Sequence, residues 1–301
     1  TFLKSKLNKK TLIMAVVKAF AYGSDSIIIS KKLEEEKIDY LAVAYANEGI
    51  ELRKAGIKSP ILVLHPQIND FEVIIEFNLE PSIYSFRILK AFISKLDQRK
   101  NYPFQIKFNT GLNRLGFCGT QIDKLISCLN GLKPTFIFSH LGASEDSFEN
   151  NFTTQQIKKF SLMAHLFQSK VRYKIKRHIL NTSGILNYPN CQFEMVRSGI
   201  GLYGFGNDSK YKLKLKPVIN LKTIISQKHQ IKKGDSVGYN KGFIAEKNMI
   251  TATLPIGHAD GISRQYGKGK GQVMVNGKLA PIIGNVCMDM IMIDVSKIQC
   301  K

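Results

Sequence analysis

Thr11-Leu-Ile-Met-Ala-Val-Val-Lys18-Ala-Phe-Ala-Tyr22-Gly23-Ser24-Asp25 is the most informative stretch of this chain. Residues 12–17 form an apolar run rich in β-branched side chains, which predicts a buried strand. Lys18 stands at its end, followed by Tyr22 and Gly23, and Asp25 and Ser26 are placed to cap a helix. In (β/α)8 barrels the carboxyl ends of parallel strands gather the chemistry. Burial at such a point lowers a lysine's pKa and makes its amine nucleophilic, as Schiff-base chemistry requires. The stretch alone is equally compatible with a lysine that snorkels out of a core.

From residue 11 to about 205, strand-like runs alternate with longer helical patterns. Strands are predicted at 40–44, 60–64, 81–84, 104–108, 135–139 and 175–180, and a last unit at 193–203. Helices are predicted at 47–55, 69–77, 85–96, 121–129 and 154–168. Roughly eight such repeats imply parallel strands closed into a (β/α)8 barrel over residues 1–215. A doubly wound open sheet competes, but no G-x-G-x-x-G follows the first strand. After Lys216 helical periodicity weakens, and 218–225, 249–255, 272–275 and 291–295 read as strands. Asn276-Gly277 is a type I′ hairpin signal. Residues 216–301 are therefore expected to form a mostly antiparallel β domain. It is expected to be incomplete, because the chain stops soon after a strand.

The 301 residues are 44% hydrophobic, enough for a sizeable core. Lys and Arg number 44 against 23 Asp and Glu, a net charge of +21. Such a balance invites a nucleic-acid hypothesis. The lysines are scattered, however, do not alternate with aromatics, and sit in no helix-turn-helix or zinc-finger pattern. The five cysteines form no C-x-x-C pair and fit a reducing compartment. No signal peptide and no span-length apolar run is present. A soluble cytoplasmic protein, with neither nucleic acid nor membrane as partner, is expected. The lack of an initiator Met suggests a fragment or a trimmed chain.

Polar residues recur at the predicted strand ends: Lys18 with Tyr22, Lys107 with Arg114, His140, Asn181 with Thr182, and Arg197 with Gly199 and Ile200. Taken singly, His140 reads as a core histidine, Arg114 as a surface cation and Asn181 as a helix cap. Together they converge on one face of a barrel and can form one site. Asn181-Thr182-Ser183-Gly184 and Ser198-Gly199-Ile200-Gly201 are small, donor-rich turns suited to a phosphate. A lysine facing a phosphate site across a barrel mouth fits pyridoxal phosphate. His140, His165 and His178 do not make a close ligand set, so no metal is expected.

Several motifs resemble those of alanine racemases. Val16-Val-Lys18-Ala-Phe-Ala-Tyr22-Gly23 looks like the family's pyridoxal-phosphate lysine motif. Lys107-Phe-Asn-Thr-Gly-Leu-Asn-Arg114-Leu-Gly-Phe117 and Met195-Val-Arg197-Ser-Gly199-Ile200-Gly-Leu-Tyr203-Gly204 are similar to two others. Val237-Gly-Tyr239, Leu254-Pro-Ile-Gly-His258-Ala-Asp-Gly261 and Gly284-Asn-Val-Cys-Met288-Asp289 complete the series, in order along nearly the whole chain.

The resemblance implies a two-base pyridoxal-phosphate racemase that interconverts L- and D-alanine and supplies D-alanine for peptidoglycan. It implies that Lys18 holds the cofactor and is the base on the D face. Tyr239, from the other subunit of a homodimer, would be the base on the L face. His140 would bond to Tyr239, and Arg114 would support Tyr239 and the substrate carboxylate. Lys107, carbamylated in many members, would hold Arg114, and Arg197 would face the pyridine nitrogen. Tyr22, Asn181, Thr182, Gly199 and Ile200 would bind the cofactor. The Met288 N–H, also from across the interface and supported by Asp289, would meet the substrate carboxylate. Phe20, Ser24-Asp25, Thr182 and His258 depart from the usual residues. The resemblance further implies truncation at both ends. Ser139-His-Leu-Gly-Ala-Ser-Glu-Asp146 and His178-Ile-Leu-Asn181 most resemble versions fused behind a peptidoglycan-precursor ligase. A barrel-only cofactor-homeostasis protein is disfavoured, because such proteins lack the β half.

Overall fold

The computed structural model describes residues 2–96, 101–206 and 214–300. The chain divides into two compact units, Thr1–Val218 and Ile219–Lys301.

The first unit carries eight parallel strands: β1 (Leu12–Val16), β2 (Tyr40–Val43), β3 (Ile61–Val63), β4 (Glu80–Ile83), β5 (Gln105–Lys107), β6 (Phe136–Phe138), β7 (Lys176–His178) and β8 (Met195–Ser198). They pair in sequence, and β8 returns to β1 with Ala15 opposite Ser198. Backbone bonds Glu194 N to Arg177 O and Arg197 N to Leu180 O draw β8 against β7, so the sheet curls into a barrel. Its helices are α1 (Lys18–Gly23), α2 (Ser26–Glu35), α3 (Ala46–Lys54), α4 (Phe71–Glu76), α5 (Phe86–Ile93), α6 (Ile122–Leu129), α7 (Asn150–Ser169) and α8 (Thr182–Asn187).

Strand alternation sorts side chains into two layers. Met14, Val16, Ala42, Leu62, Phe136, Phe138 and Met195 pack together inside the barrel. Ile13, Ala15, Leu41, Val43, Ile61, Val63 and Ile137 belong to the larger cluster shared with the helices. A strand buried on both faces reads as an unbroken apolar run, which is why residues 12–17 stand out.

The segment α1 is not an ordinary helix. Ala19, Phe20, Ala21 and Tyr22 have φ of 53, 52, 50 and 61°, a left-handed turn made without glycine. Each L-residue so placed costs roughly 1–2 kcal/mol. Ala21 N bonds to Val17 O and Ser24 N to Phe20 O, while the Tyr203 hydroxyl donates to Ala21 O. Asp25 then caps α2, its Oδ1 accepting from Ile27 N and Ile28 N at 2.9 and 2.8 Å. Phe20 is 69% exposed in this conformation, so its ring offsets little of the strain. Phe20→Asn is expected to stabilise the protein by about 0.5–1 kcal/mol, because asparagine tolerates the left-handed region. Chemical denaturation with Phe20→Leu as a neutral control checks this; a destabilised asparagine variant would show that the ring is needed.

The second unit holds β9 (Gln227–Ile231), β10 (Ser236–Val237), β11 (Phe243–Ile244), β12 (Met249–Leu254), β13 (Gln272–Val275), β14 (Lys278–Ile283) and β15 (Ile291–Asp294). Five of them form an antiparallel sheet in the order β13-β14-β15-β12-β9, with β10 and β11 paired separately. Val275 lies opposite Lys278, and Asn276 and Gly277 have φ of 47 and 77°, the two-residue hairpin the sequence signals. Ala252, Leu254, Ala280, Ile282, Ile291 and Ile293 form its core. The strand expected at 218–225 does not form. Pairing of β9 on β12 begins at Ser226 N to Thr253 O. That bond leaves Ser226 and Gln227 both opposite Thr253, and continued upstream it would set Ile224 against Pro255, which has no N–H to give. Val218, Leu221 and Ile224 stay exposed. Among the described residues no helix is long and apolar enough to cross a membrane.

Candidate active site

The strand ends of the first unit surround a cavity of about 600 Å³ lined by Lys18, Tyr22, Lys107, Arg114, His140, Asn181, Thr182, Arg197, Gly199 and Ile200. Every barrel residue singled out from the sequence therefore reaches one space. Tyr239, Met288 and Asp289 lie in the second unit and are exposed. There, Tyr239 and Cys287 line a common hollow.

Local chemistry places each group. Lys18 stands two residues past the end of β1 and is half-buried. The loop after Lys107 folds back on its own strand, with Phe117 N bonded to Lys107 O and Asn109 N to Phe117 O, both at 2.9 Å. Gly116 permits this: its φ is +126°, and a Cβ there would sit 2.6 Å from the Phe108 carbonyl carbon. Asn109 Oδ1 accepts from Gly111 N and Asn113 N, which holds the turn that presents Arg114.

Asn181 does act as a helix cap, its Oδ1 accepting from Gly184 N at 2.9 Å and from Ser144 Oγ at 2.7 Å, while it also lines the cavity. Thr182 Oγ1 accepts from Gly199 N and Gly201 N at 3.3 and 3.2 Å, tying the β7 and β8 loops together. A Cβ on Gly199 would run into the Tyr22 hydroxyl. The cradle between these loops thus exists only because Gly199 has no side chain.

Arg197 is almost wholly enclosed. Its Nη2 donates to Ser139 O at 2.8 Å, Ile179 O at 3.0 Å and His140 Nδ1 at 3.2 Å, and its Nη1 meets His178 Nδ1. His178 Nε2 lies 2.7 Å from Gln105 Oε1. These partners put the proton of both imidazoles on Nε2. The His178 ring also stacks on Phe138 with centroids 4.7 Å apart. Burial and then the Arg114 charge bring the Arg197 guanidinium down to about 9. Burial and the surrounding Arg197, Arg114, Lys107 and Lys18 hold His140 well below its ordinary value, so it is neutral. Burial, then Arg114, Arg197 and Lys18, lower Lys107 to about 8.

Among the described residues the lining contains Lys18, Lys107, Arg114 and Arg197 but no Asp or Glu. Like charges gathered without a counter-ion call for an anionic ligand. A phosphate and a carboxylate would meet that need. The residues present fit pyridoxal phosphate.

The charge crowding has a pH signature. Lys107 folds at about 8 against an ordinary 10.5, so between those values the unfolded chain binds more protons. Stability then rises as pH climbs through that window, by up to about 3 kcal/mol for this group. In bicarbonate-free buffer the cofactor-free protein is expected to melt higher near pH 10 than near pH 8. Lys107→Met should raise the midpoint near neutrality and flatten the slope; an unchanged slope would place its origin elsewhere.

Sequence reasoning missed Gln105 and the Arg197 contact of His178, as well as Tyr45 and His65 on the cavity wall. The last two follow β2 and β3, so the strand-end criterion that found Lys18 would have found them too.

Fold and cavity together define a (β/α)8-barrel protein whose mouth offers an amine and an anion-binding cradle. The family described as alanine racemase, N-terminal domain, matches residues 1–206, and that described as alanine racemase, C-terminal domain, matches residues 218–301. An alanine racemase of Clostridium tetani is 40% identical over 95% of this chain and 76% of its own length. One from Rickettsia canadensis is 37% identical over 98% of this chain and 81% of its own. The solved alanine racemase of Clostridium difficile 630 superposes with a TM-score of 0.87 at 29% identity, covering 100% of this chain and 80% of that one. That of Bartonella henselae, with covalently bound pyridoxal phosphate, has a TM-score of 0.87 at 27% identity, covering 99% and 83%. The chain belongs to the alanine racemase family.

Proposed function

We propose that this protein is a cytoplasmic homodimeric isomerase that interconverts L- and D-alanine with pyridoxal 5′-phosphate, supplying D-alanine for peptidoglycan. The observation that carries this reading is the cavity at the barrel mouth lined by Lys18, Lys107, Arg114 and Arg197. When bound, pyridoxal phosphate supplies an aldehyde for the Lys18 amine and an electron sink for the substrate α-carbon.

Tyr22, Thr182, Gly199 and Ile200 would hold the phosphate end, with Asn181 beside them on the cavity wall, and Arg197 would face the ring nitrogen. A guanidinium is a donor only, so Arg197 so placed would keep that nitrogen unprotonated and limit the sink. Racemisation needs a base on each face of one carbon. Lys18 moves the proton on the D face, and Tyr239 of the second subunit moves it on the L face. With Nδ1 accepting from Arg197, His140 has Nε2–H to give to the Tyr239 oxygen of the second subunit. Arg114 and the Met288 N–H of the second subunit would orient the substrate carboxylate, with Asp289 supporting Met288. The lowered amine of Lys107 suits carbamylation. That step adds carbon dioxide to the neutral amine and releases a proton, setting an anion beside Arg114.

Incubating the protein with pyridoxal phosphate and L-alanine should yield D-alanine, read by a D-amino-acid oxidase assay. Tyr239→Phe should abolish removal of the L-alanine proton while cofactor uptake stays near wild type. Equal loss of both would overturn its role as base. Faster turnover of serine or lysine would overturn the choice of substrate.

A further inference from the structure

The Glu48 side chain joins two strand ends at the point where the barrel ladder stops. The last backbone bond between β1 and β2 is Val17 N to Ala42 O at 2.9 Å. One residue past Lys18, Ala19 N donates to Glu48 Oε1 at 2.6 Å. The other oxygen, Oε2, accepts from Ala44 N at 2.6 Å and Tyr45 N at 3.2 Å. The bonds to Ala44 and Tyr45 are an ordinary cap for α3. The bond to Ala19 serves no helix; it holds the first residue of the left-handed turn. The Tyr203 hydroxyl on Ala21 O holds the third, and the Tyr22 ring lies on the Tyr203 ring with centroids 5.4 Å apart.

We propose that Glu48 is a positioning residue for Lys18: its carboxylate clamps the peptide after Lys18 and so keeps the left-handed turn that aims Lys18 and Tyr22 into the cavity. The proposal deepens the pyridoxal-phosphate reading and rests on it. Ala-Phe-Ala-Tyr has no glycine or asparagine to favour a left-handed path, so the path must be imposed from outside. A carboxylate has acceptor sites on both oxygens and can take all these N–H groups. A carboxamide of the same size cannot, because its NH2 would face a donor.

The test compares Glu48→Gln, Glu48→Ala and the exposed control Glu51→Gln. Two quantities are read on cofactor-free protein: the dissociation constant of pyridoxal phosphate by absorbance titration, and the labelling rate of Lys18 by trinitrobenzenesulfonate, located by peptide mapping. Glu48→Gln is expected to weaken the first and slow the second by roughly 10- to 100-fold, close to Glu48→Ala, with Glu51→Gln unchanged. If Glu48→Gln matches wild type and only Glu48→Ala fails, Glu48 acts by packing and the proposal falls. If both variants melt earlier but bind and label normally, Glu48 is only a helix cap and the proposal again falls. Should neither variant fold, hydrogen exchange on the wild type decides. The Ala19 amide, on an exposed residue, is expected to be protected roughly 100-fold or more; free exchange there would overturn the clamp. Wild-type protein that fails to take pyridoxal phosphate on Lys18 overturns the functional reading instead, and the labelling and exchange arms still judge Glu48.

Discussion

Lys18→Ala is expected to lower racemisation in both directions by at least about 10⁴-fold, since one change removes the proposed attachment point of the cofactor and the proposed base on one face. Cofactor retention should separate from turnover. Lys107, Arg114, Arg197 and the Gly199 cradle all remain in the variant, so phosphate recognition survives. Pyridoxal phosphate should still bind, but dialysis should strip it, and borohydride should no longer fix it to the chain. Folding should be unaffected within about 0.5 kcal/mol, because Lys18 is only half-buried and is not part of the core. Any residual adduct should map to Lys107, the other cavity amine, which burial and its cationic neighbours hold at about 8. A variant that keeps a tenth of wild-type turnover would mean that some other group moves the D-face proton, and the two-base assignment would have to be abandoned.

What could be read from residues 12–17 was the strand and the fact that Lys18 ends it, because burial on both faces leaves an apolar signature. The path just beyond could not be read. Ala19 to Tyr22 looks like ordinary helix or coil, and its left-handed turn is held by Glu48, 29 residues from Ala19, and by Tyr203, 182 residues from Ala21. Constraints at that range leave no local periodicity. Arg197 stood out as a charged residue near the end of its strand, whereas His178 and Gln105 fall within the runs read from sequence as strands at 175–180 and 104–108 and pair with one another past β6. A single sequence does not say which buried polar residues find each other. Residues 218–225 show the converse. Their apolar pattern is that of a strand, but a strand needs a partner with donors, and the register reaches Pro255 instead. Asn181 shows a choice that was never needed, since capping α8 and lining the cavity use the same position.

Arg197→Leu is the second large effect, and it acts on stability and chemistry with opposite electrostatic signs. Leucine leaves Ser139 O, Ile179 O and His178 Nδ1 without the donor they now share. Losing partners for buried acceptors costs about 1–3 kcal/mol each, and relaxation recovers part of it. A net loss of about 2–4 kcal/mol at neutral pH is expected, or roughly 5–15 °C in Tm. The same substitution removes one of the charges that hold Lys107 at about 8, so that amine should move up toward 10.5 even as the protein weakens. Racemisation should fall by at least about 100-fold, because the group proposed to face the cofactor ring is gone. Arg197→Lys separates charge from shape. It keeps a cation near Lys107 but offers a single ammonium where a planar fork now meets backbone oxygens and an imidazole at once. The lysine variant is therefore expected to melt nearly as low as the leucine variant while leaving Lys107 close to its present value. Thermal melts together with the pH dependence of Lys107 labelling read both quantities. If the lysine variant regains wild-type stability, the fork geometry is not what holds the two histidines and the β6 and β7 ends in place, and charge alone organises the mouth of the barrel.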